Sequence, residues 1–366
     1  MQTAFTEDQI QFREVVSRFL QQKSATTLTR QLMESSTGFD RDVWQQLCTE
    51  VGLAGTHIPE AYGGFGFGPI ELGIAAEEMG RYLYMGPFFA SSVMASAALL
   101  HMAEEAAKLS LLPDIAQGET IATLALDSLD SPQRVGRTIR ASAGKLRGNA
   151  PLVVDAQAAQ LLVVIAAETD GRGLYAVDAS LAEVQPVTGL DPTRRLASVD
   201  FNAVEAQRIG DASSARLDTT WDYICVALAH EMVGGAQHLL DSTIEYTKIR
   251  YQFGRPIGSF QGLKHRCADL LMEVEWAKSA THHAARCLAA GEGESYLPSM
   301  VKAMASDTYL HAAKEAIQMR GGIGFTWEED TQLWYKRAKS SEVFMGTPAF
   351  HRERMMQQIE SQEVAA

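Results

Sequence analysis

The spacing of apolar residues changes twice along this chain of 366 residues. From about residue 6 to 117, apolar side chains recur every three or four positions, which predicts amphipathic helices. From about residue 119 to 209 they form short runs separated by Gly, Asp and Pro, which predicts short strands. From about residue 215 to 360 the helical spacing returns over longer segments. This order predicts a mainly α-helical protein with a central β-domain.

Three domains follow from these changes in periodicity. They are an N-terminal helical domain over residues 1–118, a middle β-domain over 119–210 and a C-terminal helical bundle over 211–366. The middle domain is expected to be a compact barrel or sandwich, because its predicted strands are short and closely punctuated. A chain of this length has enough residues to bury a large core.

Capping residues predict where several helices begin and end. Thr6 and Gln9 form a capping-box pattern, and Asp40 is placed to cap a later helix. The C-terminal zone predicts three long helices, which are Thr220–Arg250, Leu263–Ala290 and Leu297–Arg320. The second of these is expected to end at Gly291, since glycine is the usual residue after a helix.

The charge balance excludes some classes of partner. The chain has 32 Lys and Arg against 45 Asp and Glu, for a formal charge of -13. Binding to a phosphate backbone needs clustered basic residues, so we predict no nucleic-acid partner. No apolar run approaches the roughly 18 residues that span a bilayer, and no signal-peptide pattern is present. We therefore expect a cytoplasmic protein without a membrane span.

No metal site is predicted from the histidines. His282 and His283 are adjacent, so on a helix their side chains diverge by about 100° and make a poor ligand pair. His265 and Asp269 have the i,i+4 spacing of a ligand pair, but that spacing is more typical of an exposed pair.

The segment Arg250–Gln261 lies between two of the predicted long helices. It combines two Arg and two Gln with aromatic residues, Gly and Pro. Arginine forms bidentate contacts with phosphate, and glycine lets backbone N–H groups come close to it. The segment is therefore either a phosphate-binding loop or a solvated turn between helices.

A second glycine-rich segment, Gln318–Thr326, follows the third long helix. Its consecutive Gly321 and Gly322 first of all predict a helix C-cap, but they also permit the close approach of a dinucleotide. Neither segment fits a GxGxxG between a strand and a helix, so no Rossmann site is predicted.

Taken in order, these segments resemble the acyl-CoA dehydrogenase family over nearly the whole chain. The N-terminal zone contributes the matching stretches Val51–Gly55, Pro59–Gly64 and Glu77–Arg81. Arg250–Gln261 resembles the family's R-x-x-F-G-x-x-I-x-x-F-Q signature, and Gln318–Gly324 resembles its Q-x-x-G-G-x-G signature. Several motifs in the expected order make this resemblance specific.

The resemblance implies an N-terminal helical domain, a middle β-barrel and a C-terminal four-helix bundle. It implies FAD held between subunits, an acyl-CoA substrate oxidised to the 2,3-enoyl thioester, and an electron-transfer flavoprotein as electron acceptor. In that chemistry a Glu removes the proton α to the carbonyl and the β-hydride passes to the flavin. The FAD-binding positions carried over from the two signatures are Arg250, Gln252, Phe253, Gln261, Gln318, Gly321 and Gly322.

The family's catalytic base is missing from its usual place. The turn that resembles the family's Y-E-G-T contains Met345 at the Glu position, and a thioether cannot accept a proton. The base position of some other members falls at about Ile224, which cannot serve either. Glu231 lies seven residues further along, on roughly the same helical face and among apolar neighbours. It is either a general base or a buried carboxyl hydrogen-bonded to a neighbouring segment, and Asp222 and Glu342 are further candidates.

The middle domain departs from the family as well. Ala122–Ser131 replaces the T-E-x-x-x-G-S-D strand and turn without its Gly and Glu, and Leu152–Asp155 replaces the flavin-backing W-I-T-N strand without its Trp. The positions for the cofactor tail are kept and those for its rings are eroded. This pattern resembles the accessory subunits of heteromeric acyl-CoA dehydrogenases that degrade steroid and bile-acid side chains.

Three hypotheses follow for the function. The first is an accessory subunit that completes the FAD site of a homologous catalytic subunit, with steroid side-chain CoA esters as the substrate class. The second is a self-sufficient homo-oligomeric dehydrogenase that uses Glu231 as its base. The third is a non-catalytic protein that binds acyl-CoA or acts as a scaffold.

Overall fold

A computed structural model describes residues 5–365, with side chains described as far as residue 362. The N-terminal part is helical throughout. Its α-helices are α1 (Glu7–Lys23), α2 (Thr26–Glu34), α3 (Arg41–Thr49), α4 (Pro69–Arg81), α5 (Ser96–Met102) and α6 (Glu105–Ala116). A π-helical segment, Phe88–Ala95, leads directly into α5 and is buried along its whole length.

The predicted caps are confirmed. The Thr6 hydroxyl accepts a hydrogen bond from the backbone N–H of Gln9, whose side chain accepts one from the backbone N–H of Thr6. The Asp40 carboxylate accepts bonds from the first backbone N–H groups of α3. These contacts satisfy N–H groups that have no partner inside a helix.

The middle part is an eight-stranded sheet in the order β6-β7-β3-β2-β4-β5-β8, with β1 pairing in parallel with β4. Its strands are β1 (Ala122–Ala125), β2 (Arg140–Ser142), β3 (Lys145–Val154), β4 (Leu161–Glu168), β5 (Gly171–Asp178), β6 (Glu183–Val187), β7 (Leu196–Glu205) and β8 (Gln207–Asp211). Alternate residues of β4 contribute to two different apolar clusters, since successive side chains on a strand point to opposite faces. One cluster is the core of the β-domain, and the other is continuous with the helical core.

The C-terminal part begins with α7, a helix of 36 residues. Its elements are α7 (Ser214–Ile249), a hairpin of β9 (Tyr251–Gln252) and β10 (Arg255–Pro256), α8 (Gln261–Ala290), α9 (Leu297–Arg320), α10 (Thr331–Val343) and α11 (Pro348–Ala365). The helix α7 begins earlier than its apolar spacing predicts, and α8 ends before Gly291 as predicted.

Two glycines let α4 and α7 pack backbone to backbone. A Cβ atom on Gly80 of α4 would lie 1.9 Å from the carbonyl oxygen of Glu231, and one on Gly234 of α7 would lie 1.8 Å from that of Glu77. No side chain fits in so small a space. The crossing therefore joins the N-terminal helices to the bundle and brings the side chains of Glu77, His230 and Glu231 into the interior.

The predicted fold class is confirmed: helices, then a sheet, then a helical bundle. Within residues 5–365, no helix combines the length and the apolar character that crossing a bilayer requires.

Candidate functional site

The first predicted FAD-binding segment folds as a short hairpin between α7 and α8. β9 and β10 pair antiparallel, with Gln252 opposite Arg255. The two turn residues, Phe253 at φ 54° and Gly254 at φ 76°, both lie in the left-handed region that two-residue hairpin turns favour. The turn leaves the side chain of Phe253 89% exposed, so its ring is open to solvent in the single chain.

The second predicted segment lies at the end of α9 and is anchored by Arg320. The guanidinium of Arg320 donates to the hydroxyl of Thr243 at 2.8 Å and to the carboxylate of Glu329 at 3.0 Å. Gly321 follows with φ 66°, which is the left-handed conformation of a helix C-cap. No atom lies within 4 Å of a Cβ placed on Gly321 or Gly322, so their backbone faces open space.

The two segments face each other across a cavity of about 410 Å³, which is in the usual size range for ligand sites. Six of the seven predicted FAD-binding residues line it, namely Arg250, Gln252, Phe253, Gln318, Gly321 and Gly322. The seventh, Gln261, is the first residue of α8 and is not among the lining residues. A neighbouring cavity of about 430 Å³ shares Leu263 as a wall.

The chemistry of this cavity fits the pyrophosphate and adenosine portion of FAD. Arg250 supplies a positive charge, and Gln252 and Gln318 supply amide groups. The exposed backbone at Gly321 and Gly322 allows close approach of a phosphate, and the ring of Phe253 offers a stacking surface.

The turn that carries the base in the family is held rigidly here without one. Met345 is fully buried with φ 58°, and its carbonyl oxygen accepts a bond from Nε2 of His351 at 2.8 Å. The ammonium of buried Lys302 donates to the carbonyl oxygens of Ser341 and Gly346, each at 3.0 Å. Burial lowers the pKa of Lys302 to about 8. The turn is therefore stabilised from both sides although no acidic group projects from it.

Glu231 lies in a buried cluster of charges between the β-domain and the bundle. Its carboxylate accepts hydrogen bonds from Arg194, and from Nη1 of Arg337 at 3.3 Å. Arg337 also pairs with Asp191 at 2.8 Å and donates to the carbonyl oxygen of Thr193 at 2.8 Å. Burial lowers the pKa of Arg337, but Asp191 and Glu231 more than offset this and raise it.

These contacts match the alternative of a buried, hydrogen-bonded carboxyl at Glu231. Its role as a base stays a prediction. Ile224 is buried and cannot exchange a proton. Asp222 is ion-paired with Arg354, and Glu342 with Lys339, so both further candidates also have partners.

The region expected to hold the flavin rings contains little space. Val154 and Asp155, at the end of the strand that resembles the flavin-backing strand, line a cavity of about 20 Å³ together with Arg194, Glu231 and others. That is room for about one water molecule, whereas ligand sites measure about 300 Å³ or more. Burial raises the pKa of Asp155 to about 7, although three arginines oppose the shift. In the structure, the cavity beside Val154 and Asp155 is too small for an isoalloxazine ring system.

Comparison with known proteins decides the family. Residues 6–119 match the N-terminal domain of acyl-CoA dehydrogenases, and residues 220–360 match their C-terminal domain. The acyl-CoA dehydrogenase IpdE2 of Mycobacterium tuberculosis is 34% identical, over 93% of this chain and 94% of that protein. The chain belongs to the acyl-CoA dehydrogenase family.

Other members of the family agree with this assignment. IpdE2 of Mycolicibacterium smegmatis is 32% identical, over 94% of this chain and 96% of that protein. A solved structure described as a Tcur3481-Tcur3483 steroid ACAD variant superposes with a TM-score of 0.88 at 25% identity, covering 98% of this chain and 99% of that one. Membership makes the protein an FAD-dependent oxidoreductase of acyl-CoA CH–CH bonds.

Sequence reasoning missed the partners of Glu231 in this acyl-CoA dehydrogenase. Arg194 is 37 positions away and Arg337 is 106 positions away, so no local spacing connects them. The contacts of Lys302 were missed for the same reason, because the carbonyl groups that it binds, in and before the turn at Met345, are about 40 positions away. The available signal was the presence of charged residues within otherwise apolar helical faces.

Proposed function

We propose that this chain is the accessory subunit of a heteromeric acyl-CoA dehydrogenase. It binds the pyrophosphate and adenosine portion of an FAD whose rings rest on a homologous catalytic subunit. The observation that carries this proposal is the contrast between the two half-sites. The cavity for the cofactor tail measures about 410 Å³, and the one in the ring region measures about 20 Å³.

The tail half retains the groups that a dinucleotide needs. Arg250 and Gln252 lie on one side of the cavity, and Gln318 and the two glycines lie on the other. Phe253 projects from the hairpin into solvent, where a second chain or its bound cofactor can cover it. This half therefore binds and orients the cofactor without contributing to proton transfer.

The ring half lacks both the base and the space. Met345 and Ile224 occupy the two positions where family members carry a carboxylate. The carboxylate of Glu231 accepts hydrogen bonds from two guanidinium groups, those of Arg194 and Arg337. A catalytic Glu from the partner subunit removes the α proton, and FAD when bound supplies the hydride acceptor.

The substrate is an acyl-CoA thioester, and a steroid-derived acyl group is the class we assign to it. The support is the steroid description of the Tcur3481-Tcur3483 protein, whose name also joins two components. An electron-transfer flavoprotein is the acceptor for the assembled enzyme. Similarity to that two-component steroid protein supports this assignment of acyl group and partners.

Co-expression with a homologue that keeps the Glu tests the proposal. We expect the single chain to purify with little flavin, and the complex to contain one FAD for each pair of unlike chains. Steroid side-chain CoA esters and a straight-chain acyl-CoA are then compared as substrates for the complex. A single chain that carries a full complement of FAD and oxidises acyl-CoA would establish the homo-oligomeric alternative. A colourless protein in every assembly would establish the scaffold.

A further inference from the structure

Outside the cofactor site, three potential metal ligands come together at the α4–α7 crossing. Glu77 lies on α4, His230 on α7 and His282 on α8. Their ligand atoms all lie within 4.8 Å of one another. Glu77 and His230 are separated by more than 150 positions in the sequence, so the cluster exists only because the helices cross.

Oε2 of Glu77 is the centre of the cluster. It lies 2.8 Å from Nε2 of His282 and 3.7 Å from Nδ1 of His230. Ligand atoms of a tetrahedral zinc ion with bonds of 2.0–2.1 Å are separated by about 3.3 Å. The two observed separations lie on either side of that value, and the nitrogens of the two histidines lie within 4.8 Å of each other, so side-chain rotations are needed to bring all three ligands to it.

His230 provides an independent reason to expect a ligand. Its side chain is 1% exposed, yet neither ring nitrogen has a hydrogen-bond partner among the described residues. A buried polar group without a partner is costly and rare. Gly73 leaves room for the Nε2 edge of the ring, because a Cβ there would lie 2.5 Å from Nε2. The opposite edge, with Nδ1, is the one that faces Glu77.

One carboxylate, that of Glu77, faces both histidines and supplies the negative charge of the cluster. The groups that face it are Glu77 and Glu78 from α4, His230 from α7, His282 from α8 and Arg13 from α1. Arg13 contacts both carboxylates and Arg81 also acts on Glu78, so the negative charge next to the two histidines is that of Glu77, shared with Arg13. Arg13 donates to Oε1 of Glu77 at 2.7 Å and to Oε2 at 3.2 Å, and so orients the carboxylate, as partners of metal ligands commonly do.

We propose that Glu77, His230 and His282 bind one divalent transition-metal ion, with Zn²⁺ the best match, and that this ion ties α4 to α7 and α8. Two imidazoles and one carboxylate are an established ligand set for Zn²⁺ and for Fe²⁺. The spacing of residues along the sequence gives no sign of this site, because its three ligands lie on three helices that are far apart in the sequence. The role is structural, since the ion would join the N-terminal helices to the bundle.

The direct test is a Zn²⁺ titration of the full-length chain after treatment with a chelator. We expect one ion per chain by calorimetry, and a higher melting temperature with Zn²⁺ than without, because an ion that binds only the folded state stabilises it. Glu77→Gln and His282→Ala should each weaken binding by about 100-fold or more. His283→Ala is the matched control, since it removes the adjacent histidine and should bind as the unmodified chain does.

A measurement on the unmodified chain keeps the proposal testable if those variants do not fold. X-ray absorption of the zinc-loaded protein should show two imidazoles and oxygen ligands. Sulfur in the coordination shell, no stoichiometric ion, or binding that survives His282→Ala would each overturn the site. In those cases the cluster is only a hydrogen bond between Glu77 and His282 beside a buried His230.

Discussion

A buried charge is stable only while its partners are present, and this governs the behaviour of Glu231. The residue is 5% exposed and shares its carboxylate between Arg194 and Arg337. Removing one charged member of such a group leaves the charges of the others buried without an opposite charge beside them. The same geometry explains how a carboxylate can be stabilised deep in the interior of this chain.

Glu231→Gln should therefore lower the free energy of unfolding strongly and have little effect on turnover. We expect the free energy of unfolding to fall by about 3–5 kcal/mol, the usual result of breaking a buried ion pair. Urea unfolding measures the loss, and Glu342→Gln is the control, since its partly exposed pair with Lys339 contributes at most about 1 kcal/mol. In the assembled enzyme, turnover per intact complex should be unchanged. A loss of about 100-fold in turnover with intact assembly would instead identify Glu231 as the base.

Buried histidines make the stability depend on pH. Burial lowers the pKa of His57 to about 3, while its ring is hydrogen-bonded to Ser96 and Tyr223. Between the unfolded value near 6.5 and this folded value, the unfolded chain binds the extra proton, so stability falls as the pH falls. At pH 5 this single residue lowers the free energy of unfolding by about 2 kcal/mol relative to neutral pH.

A His57→Gln variant should accordingly lose about 2 kcal/mol less than the unmodified chain between pH 7 and pH 5. The comparison is of the pH dependence, so a constant cost from the altered hydrogen bonds does not affect it. His265→Gln, at an exposed position on α8, serves as the control. Equal pH dependence in all three proteins would contradict the assignment.

At the scale of elements, the α4–α7 crossing depends on the absence of two side chains. In Gly234→Ala, the new methyl group would meet the carbonyl oxygen of Glu77 at 1.8 Å, and backbone cannot move aside as a flexible side chain can. We expect a loss of at least about 1–3 kcal/mol in the free energy of unfolding, despite alanine's better helix propensity. Gly262→Ala on α8 meets no atom within 4 Å and should be neutral or stabilise by up to about 1 kcal/mol. Equal effects of the two changes would refute this account of the crossing.

Local chemistry explains which elements the sequence could predict. The caps at Thr6 and Asp40 and the glycine after α8 act within one helical turn, so their residue types and spacing suffice. The π-helical segment Phe88–Ala95 is buried along its whole length, including Ser91 and Ser92, so it has no exposed face whose period would distinguish a π-helix from an α-helix. The contacts of Glu231 and His230 depend on helices far apart in sequence, and periodicity contains no information about them.

At the scale of the whole molecule, the regions predicted to hold the tail and the rings of the cofactor differ in how much open space they contain. The hairpin and the glycine turn present an open, polar surface with an exposed aromatic ring. The ring region is closed by packing and by ion pairs that join the β-domain to the bundle. The ring region is closed by contacts within the chain, whereas the tail surface is open, and the proposed function places the rest of the cofactor site on another chain.

This division predicts that Arg250 matters to the assembly and not to the fold. Its side chain is exposed, so Arg250→Gln should change the free energy of unfolding by less than about 0.5 kcal/mol. The same change removes a charge-assisted contact to phosphate and should weaken FAD binding by the complex by about 10- to 100-fold. Visible flavin absorbance during titration of the apo complex gives the affinity for FAD.

Arg255→Gln is the matched control for Arg250→Gln. Arg255 lies on the same hairpin, but its guanidinium packs over the Phe260 ring at 4.1 Å and does not line the cavity. If Arg250→Gln left the affinity for FAD unchanged while the complex stayed assembled, the cofactor tail would have to bind elsewhere. The difference in size between the two cavities would then no longer support an accessory role.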